Sequence, residues 1–530
     1  MSGSGPFAGF ARSLRDRRSV DDGTNGAVIL VHMTKYGSYQ VVQAHLLAAL
    51  RELHGLRTVA YRVDDATRRE RLLRWVGRFL GRASEHPLDR VYRDVVDEVV
   101  VLPVTPSVRR QARREVARFL RTRPDRRALE QFTARGVHIG DLAYDKFIQT
   151  GHPVVDTAHP DLVPVLAEFV EHVIALEDLC DQRDVAWFVS IGSNHQPGVT
   201  TRVAIKRARP TVVADHDSAF RLSRHRPRMS RGPLDHRARF ARLSPATKAR
   251  LIEQADRFVR DLVDDGSGDL TATGQRPWAQ GSTKGSLESS SGDRPRILVA
   301  VHSFYDDPHA VGINLFPDFY AWIEHLVGLM RRTDYEWLFK LHPDQRDDRM
   351  GVRAAVERLL APHACARILP DGVGHPELLD AGVDLALTVY GTIGFEYPAA
   401  GVPVLTAGPD NPHGTYAYCL HAQTVEEYDR YLLDPSSWRY EIPRDEILEY
   451  VAMQYLHEAT FPFHRPSVVR DHLAGSGDYF KSPDFRDIWA QGVTTDDSEA
   501  MLADFREWIE SGTFSLRAFL ADRDARLSDA

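Results

Sequence analysis

A chain of 530 residues is longer than one hydrophobic core usually serves, so two or more domains are expected. With 67 Lys and Arg against 74 Asp and Glu the net charge is −7, which gives no support to nucleic acid as a partner. Cys180, Cys365 and Cys419 are too few and too scattered for a disulfide framework or a zinc cluster, and no run approaches the ~20 apolar residues of a membrane span, so a cytoplasmic protein is expected.

In chain order, residues 1–24 lack the continuous apolar core of a signal peptide and read as a flexible tail. Phe7, Phe10 and Leu14 among arginines leave a peripheral contact with the anionic inner membrane face as the other reading. From Ala27, short β-branched runs alternate with helical patterns: AVILVHM, then a helix over Tyr39 to Leu53 with Val42, Leu46, Leu50 and Leu53 on one stripe, then RTVAYRV, DEVVVLP, VAWFVS and TVVADHD. This alternation predicts parallel strands flanked by helices, a first Rossmann-like domain over 25–263. Residues 264–294, rich in Gly and Ser, read as a flexible linker or loop. A second series begins at RILVAVHSF and continues through EWLFKLHP, VDLALTVY and VPVLTAG, a second Rossmann-like domain over 295–440. Residues 441–530 read as a helical C-terminal extension, expected to cover the second half and cross back onto the first. The fold class predicted is therefore α/β, two Rossmann-like domains facing a cleft.

In open parallel sheets, ligands bind beyond the carboxyl ends of the strands, where helix N-termini and loop amides converge. His342 and Pro343 close EWLFKLHP at that edge, the imidazole being able to donate to a phosphate oxygen. The turn YGTIG closes VDLALTVY. Gly391 and Gly394 there would let backbone amides approach a ligand, and Thr392 would cap the following helix. Glu396 then falls in the first turns of that helix, placed to accept hydrogen bonds from ribose hydroxyls. Pro398 should shorten or kink the helix, and Gly401 end it. In the first half, Asp141 and Asp145 in GDLAYD lie on one face if the segment is helical. His32 and His195 both reach the carboxyl edge of the first sheet. Any of these could serve as a general base. The acidic pairs in DDP (306–308) and RDD (346–348) read as solvated loop acids, so no metal is expected.

KLHPDQ (340–345), the segment from His375 to Gly408 and GDLAYDKFIQ (140–149) together resemble the GT-B-fold glycosyltransferases of bacterial capsule and surface-polysaccharide assembly, including Kdo, sialic acid and polyol-phosphate transferases. The resemblance covers residues 295–410 best. It implies that His342 and Pro343 hold the donor phosphate, with Lys340 beside it. It also implies that Tyr390, Gly391, Thr392, Gly394 and Glu396 hold the rest of the donor nucleotide, and that His413 borders the donor sugar. The paired serines of sialyltransferase-like members are absent, Tyr390-Gly391-Thr392 standing in that loop, which argues against a CMP-linked donor. The first half would bind a polysaccharide or lipid-linked acceptor and supply the base, Asp141, His195 or His32. The nucleotide sugar is a substrate, so no cofactor and no metal is implied. A polyol-phosphate transferase using a CDP-linked donor, a nucleotide-sugar 2-epimerase and a non-catalytic scaffold remain the alternatives.

Overall fold

The computed structural model describes residues 5–17, 26–64, 86–216, 218–229, 235–264, 294–312, 314–342, 350–458 and 484–529. The first sheet comprises β1 (Val28–His32), β2 (Arg57–Val63), β3 (Glu98–Leu102), β6 (Val185–Ser190), β7 (Thr211–Ala214) and β8 (Ala219–Leu222). β4 (Thr133–Ala134) and β5 (Val137–His138) form a separate small hairpin. The first sheet runs β3-β2-β1-β6-β7-β8 and is parallel except for β8. The second sheet comprises β9 (Arg296–Ala300), β10 (Glu336–Lys340), β11 (Ala366–Ile368), β12 (Leu385–Thr388), β13 (Val404–Thr406) and β14 (Leu420–His421). It runs β11-β10-β9-β12-β13-β14 and is parallel throughout. Counted within its own half, each sheet has the doubly wound order 3-2-1-4-5-6. Each therefore has one topological switch point, between β1 and β6 and between β9 and β12.

The central strands are apolar on both faces, as strands covered by helices must be: Ile29, Leu30 and Val31 are fully buried, as are Ile297, Leu298 and Val299. The helix Gly37–His54 shows why the predicted single stripe understates its burial. It packs on the first sheet by one face and against the C-terminal helices Phe485–Gly492 and Thr495–Ser511 by another, and Gly55 in the left-handed region (φ 67°) ends it. The helix Leu162–Gln182 also packs on the first half, an element with no counterpart among the sequence expectations.

Two regions depart from the expected domain plan. The segment 1–24 contains the helix Pro6–Arg15, whose Phe7, Ala11 and Leu14 are buried in the same core as Trp489 and Phe505. Of the apolar residues read as tail or membrane contact, Phe7 and Leu14 are thus part of the first half's core and Phe10 packs half-buried against it. The helix Pro245–Asp264 belongs to the first half by sequence, yet its Leu251, Ala255 and Val259 pack with Leu298, Phe395 and Tyr450 of the second. The expected linker lies outside the described residues apart from its ends. Beyond the helix Arg444–Val451 on the second half, the chain returns to the first, where Ser515 bridges Phe220 at the β8 edge. No helix among the described residues is long and apolar enough to cross a membrane.

The two halves meet through side chains. One apolar cluster includes Leu30, Phe147 and Val199 of the first half and Phe304, Val311 and Phe316 of the second. Around it, Arg126 pairs with Glu324 at 2.6 Å and Arg127 donates to the Leu315 carbonyl at 2.8 Å.

Candidate functional site

The residues that follow β6 touch the residues that follow β9, so the carboxyl edges of the two sheets face each other across the seam. Asp307, in the loop after β9, is the meeting point. Its carboxylate accepts from the Asn194 amide at 2.7 Å and the Gln149 amide at 3.1 Å, and it pairs with His195 Nε2 at 2.9 Å. Both His195 (φ 49°) and Asp307 (φ 44°) lie in the left-handed region, which non-glycine residues rarely occupy. Strain of this kind persists where surrounding contacts over-determine it, commonly at functional sites. His195 Nδ1 is shielded from water and has no hydrogen-bond partner among the described residues.

A second cross-seam pair lies deeper. Asp145 Oδ1 is 2.5 Å from His309 Nδ1, both side chains being buried, and Tyr144 one residue earlier donates to Asp318, which also caps the helix Phe319–Met330. Burial pulls against charge on His309, but Asp145 outweighs it and raises the imidazole to about 9, so it is held as imidazolium. Burial raises the Asp145 carboxyl to about 6 in spite of its partner.

The other first-half candidates are placed differently. Asp141 is 1 % exposed and its Oδ2 accepts from Arg202 at 2.7 Å and Arg228 at 2.8 Å. Despite burial, which would raise it, the arginines hold this carboxyl well below the usual carboxylate range. As a general base Asp141 is corrected by this geometry: an acid pinned ionised by two guanidiniums has little tendency to take a proton. The same helix does carry Asp141 and Asp145, but into separate surroundings. His32 sits at the end of β1 with its ring 5.3 Å from Tyr61 and 5.8 Å from His172, burial lowering it to about 4. It is a neutral imidazole within an aromatic group, not joined to the His195–Asp307 contact.

In the second half, the loops after β9 and β12 are bound together at the switch point. His302 Nε2 accepts from the Val389 amide at 3.1 Å and lies 3.1 Å from the Thr388 hydroxyl, while the ring stacks on Phe319 at 4.7 Å. Burial lowers this imidazole to about 3, so it is neutral and available as an acceptor. Tyr390 packs against His302 and donates its hydroxyl to the Asp306 carbonyl at 3.0 Å. Ser303, beside them, has a buried hydroxyl with no partner among the described residues.

This arrangement corrects the expected role of the glycines. A Cβ on Gly394 would overlap the His413 ring, and one on Gly391 would meet the Thr388 hydroxyl at 2.9 Å. Their missing side chains make room for the protein's own residues. The amides are largely spoken for as well, Gly391 N donating to the Thr388 hydroxyl at 3.1 Å and Gly394 N to the Gly391 carbonyl at 2.9 Å. His413, expected beside the donor sugar, is fully buried. Its Nε2 lies 3.1 Å from the Gly391 carbonyl and its Nδ1 3.0 Å from the Tyr418 hydroxyl, so it supports the turn from beneath.

Thr392 makes no side-chain cap to the helix Ile393–Ala399; its hydroxyl interacts with Glu396 instead. Glu396 is 5 % exposed, and burial raises its carboxyl to about 7 against the pull of Thr392. Pro398 lies inside this helix, kept to two turns, and Gly401 (φ 83°) follows its end, as the sequence predicts. Lys340, the last residue of β10, donates to the Val373 carbonyl at 2.6 Å, and half-buried His342 follows two residues on, near enough to His302 to depress it. Pro343 lies outside the described residues.

The structure therefore places His195 at the seam and His342, Tyr390 and Gly391 near His302 at the second switch point, with Thr392 and Glu396 paired in the helix that follows and Lys340 tied to the Val373 carbonyl, while Asp141, His32 and His413 serve the interior. The fold is GT-B-like. Sequence reasoning took Asp307 for a solvated loop acid and did not consider His309. The signal was available: VHSFYDDPHA follows directly on the strand that opens the second doubly wound series, and its His and Asp content is what a strand-end ligand loop carries.

No family model and no curated protein matches this chain. Among solved structures it is similar to the beta Kdo 2,4 transferase KpsC of Thermosulfurimonas dismutans, at 16% identity over 55% of this chain and 88% of that one, TM-score 0.31. It is also similar to UDP-GlcNAc 2-epimerase from Neisseria meningitidis, at 10% identity over 80% and 97%, TM-score 0.23. E. coli ADP-heptose lps heptosyltransferase II aligns at 12% identity over 81% and 99%, TM-score 0.19. Scores at this level carry no argument about activity, and the assignment of fold rests on the strand orders and the facing edges.

Proposed function

We propose that this protein is a glycosyltransferase that moves a sugar from a nucleotide-sugar donor to a surface polysaccharide or lipid-linked acceptor. The observation that carries the reading is the His195–Asp307 pair, two strained residues joining the carboxyl edges of two doubly wound sheets at the place where such sheets bind ligands. The second half takes the donor at its switch point. His342 and Lys340 face the leaving phosphate, and Glu396, poised to accept or donate a hydrogen bond near neutral pH, meets the ribose. The first half takes the acceptor. His195, oriented by Asp307, removes the proton from the acceptor hydroxyl as its oxygen bonds to the anomeric carbon. The bond from that carbon to the phosphate oxygen breaks, and the nucleotide leaves with the electron pair.

The testing experiment is a thermal-shift panel of UDP, CDP, GDP and ADP with their sugar conjugates, followed by product analysis with the nucleotide sugar that binds. A ligand at one hundred times its dissociation constant stabilises by about 2.7 kcal/mol, which moves the melting temperature visibly. A shift followed by release of free nucleotide on adding glycan acceptor supports transfer. Epimerised nucleotide sugar without any acceptor would replace the reading with an isomerase, and no shift by any nucleotide at millimolar concentration would remove it.

A further inference from the structure

The loop between the helix Gly140–Gln149 and the helix Leu162–Gln182 reads TGHPVVDTAHPD. It brings His152, His159 and Asp161 together so that one ligand atom from each lies within 4.8 Å of the others. His152 Nε2 is 3.3 Å from Asp161 Oδ2, and His159 Nδ1 is 3.9 Å from the same oxygen. Ligands bound at 2.0–2.1 Å in a tetrahedral site are separated by about 3.3 Å, so the first distance already matches and the second needs only a small ring movement. Two imidazoles and one carboxylate form a donor set suited to zinc and its first-row neighbours.

The surrounding loop is built to hold these side chains in place. Each histidine is followed by a proline that fixes the chain direction. The His152 ring stacks on buried Phe147 at 4.4 Å and 4°, and the His159 ring lies 4.4 Å from that of His152 and 5.8 Å from that of Phe147. His159 N donates to the Asp156 carbonyl at 3.0 Å, His152 N to the Ile148 carbonyl at 3.3 Å, and the Asp161 amide donates to His159 Nδ1 at 3.2 Å. Coordination through His159 Nδ1 would exchange that last bond for a metal bond, and the ring's Nε2 is the other ligand atom it can offer.

We propose that His152, His159 and Asp161 form a divalent transition-metal site, zinc being the best fit, that clamps this loop three residues beyond Gln149. The site stands apart from the nucleotide reading, since among the described residues no hydrogen bond, ion pair or ring contact joins its side chains to Asp307 or to the second half's switch point. It fastens the end of the helix that delivers Tyr144, Asp145 and Gln149 to the seam, so metal stabilises the fold from outside the chemistry.

The test is titration of full-length, untagged, chelator-stripped protein with zinc by calorimetry, and with cobalt by visible absorption. Wild type is expected to bind one equivalent tightly, to show the intense ligand-field bands of low coordination number, and to melt at higher temperature with zinc than without. His152→Gln and His159→Gln, checked as folded by far-UV circular dichroism, are expected to weaken that equivalent by more than about a hundredfold and to lose the zinc-induced shift. Absence of a tight equivalent in wild type overturns the proposal. So does an equivalent that survives unchanged in both folded variants, because the metal would then be held by other residues of the chain.

Discussion

His195 and Asp307 come from different halves of the molecule, each with a left-handed backbone, and meet at 2.9 Å. Each is held by the contact itself, by Asn194 and Gln149 on the same carboxylate, and by the two sheets that aim the loops.

His195→Gln is therefore expected to lower transfer by about 10²- to 10⁴-fold while leaving the melting temperature within a few degrees of wild type. Asp307→Asn keeps the shape of the contact and removes the charge that orients the imidazole. It should reduce kcat in the same direction with a smaller loss, and alter the pH–rate profile. Equal activity of His195→Gln and wild type on the identified donor would discard the base assignment.

Asp141→Asn separates a structural from a catalytic carboxylate. Leaving Arg202 and Arg228 without their buried partner should cost about 3–5 kcal/mol, read by denaturant unfolding. Turnover per folded molecule should change less than about tenfold, and a larger fall in folded protein would return Asp141 to the reaction.

The Asp145–His309 pair makes stability fall as pH rises. The His309 pKa is raised from 6.5 to about 9, so its contribution is complete below 6.5 and lost as pH rises through 9. Asp145, raised from 3.8 to about 6, acts in the same direction between those values, because the folded state again binds the extra proton. The double variant Asp145→Asn/His309→Gln should flatten the dependence of unfolding free energy on pH between 6.5 and 9. A slope as steep as that of wild type would contradict the pairing.

Glu396→Gln should show the same sign at one residue. A buried carboxyl raised from 4.5 to about 7 is neutral in acid and costs on the order of 3 kcal/mol when ionised, so the amide should match wild type below pH 4.5 and be more stable above pH 7. Nucleotide binding supplies the second readout: if Glu396 meets ribose, affinity in the variant falls at every pH.

The two glycines of the turn are predicted to differ. Gly394→Ala drives a methyl into the buried His413 ring and should cost about 3 kcal/mol or more, whereas Gly391→Ala meets the tip of Thr388 and should cost about 1 kcal/mol. If the order of the two melting temperatures is reversed, ligand approach rather than internal packing explains the turn.

The apolar, β-branched runs and their alternation with helical patterns were enough to place most strands of both sheets, because a parallel strand buried on both faces must be apolar along its length. The sequence by itself also located His195, His342 and the Tyr390–Glu396 turn at strand ends, since a strand's last residues reach the sheet edge whatever packs around it. It could not determine which side chains fill the space vacated by Gly391 and Gly394, for Thr388 is near in sequence but His302 and His413 arrive from other segments. Nor could it show that Asp141 is paired with Arg202 and Arg228 while Asp145, one helical turn on, faces His309. Spacing along a helix specifies a shared face, but the charge of that face depends on what is packed against it. The tertiary structure alone decided that DDP lies at the meeting point of the seam: a carboxylate becomes a partner or a solvated acid according to residues more than a hundred positions away, and only the packing of the two sheets brings those residues within hydrogen-bond reach.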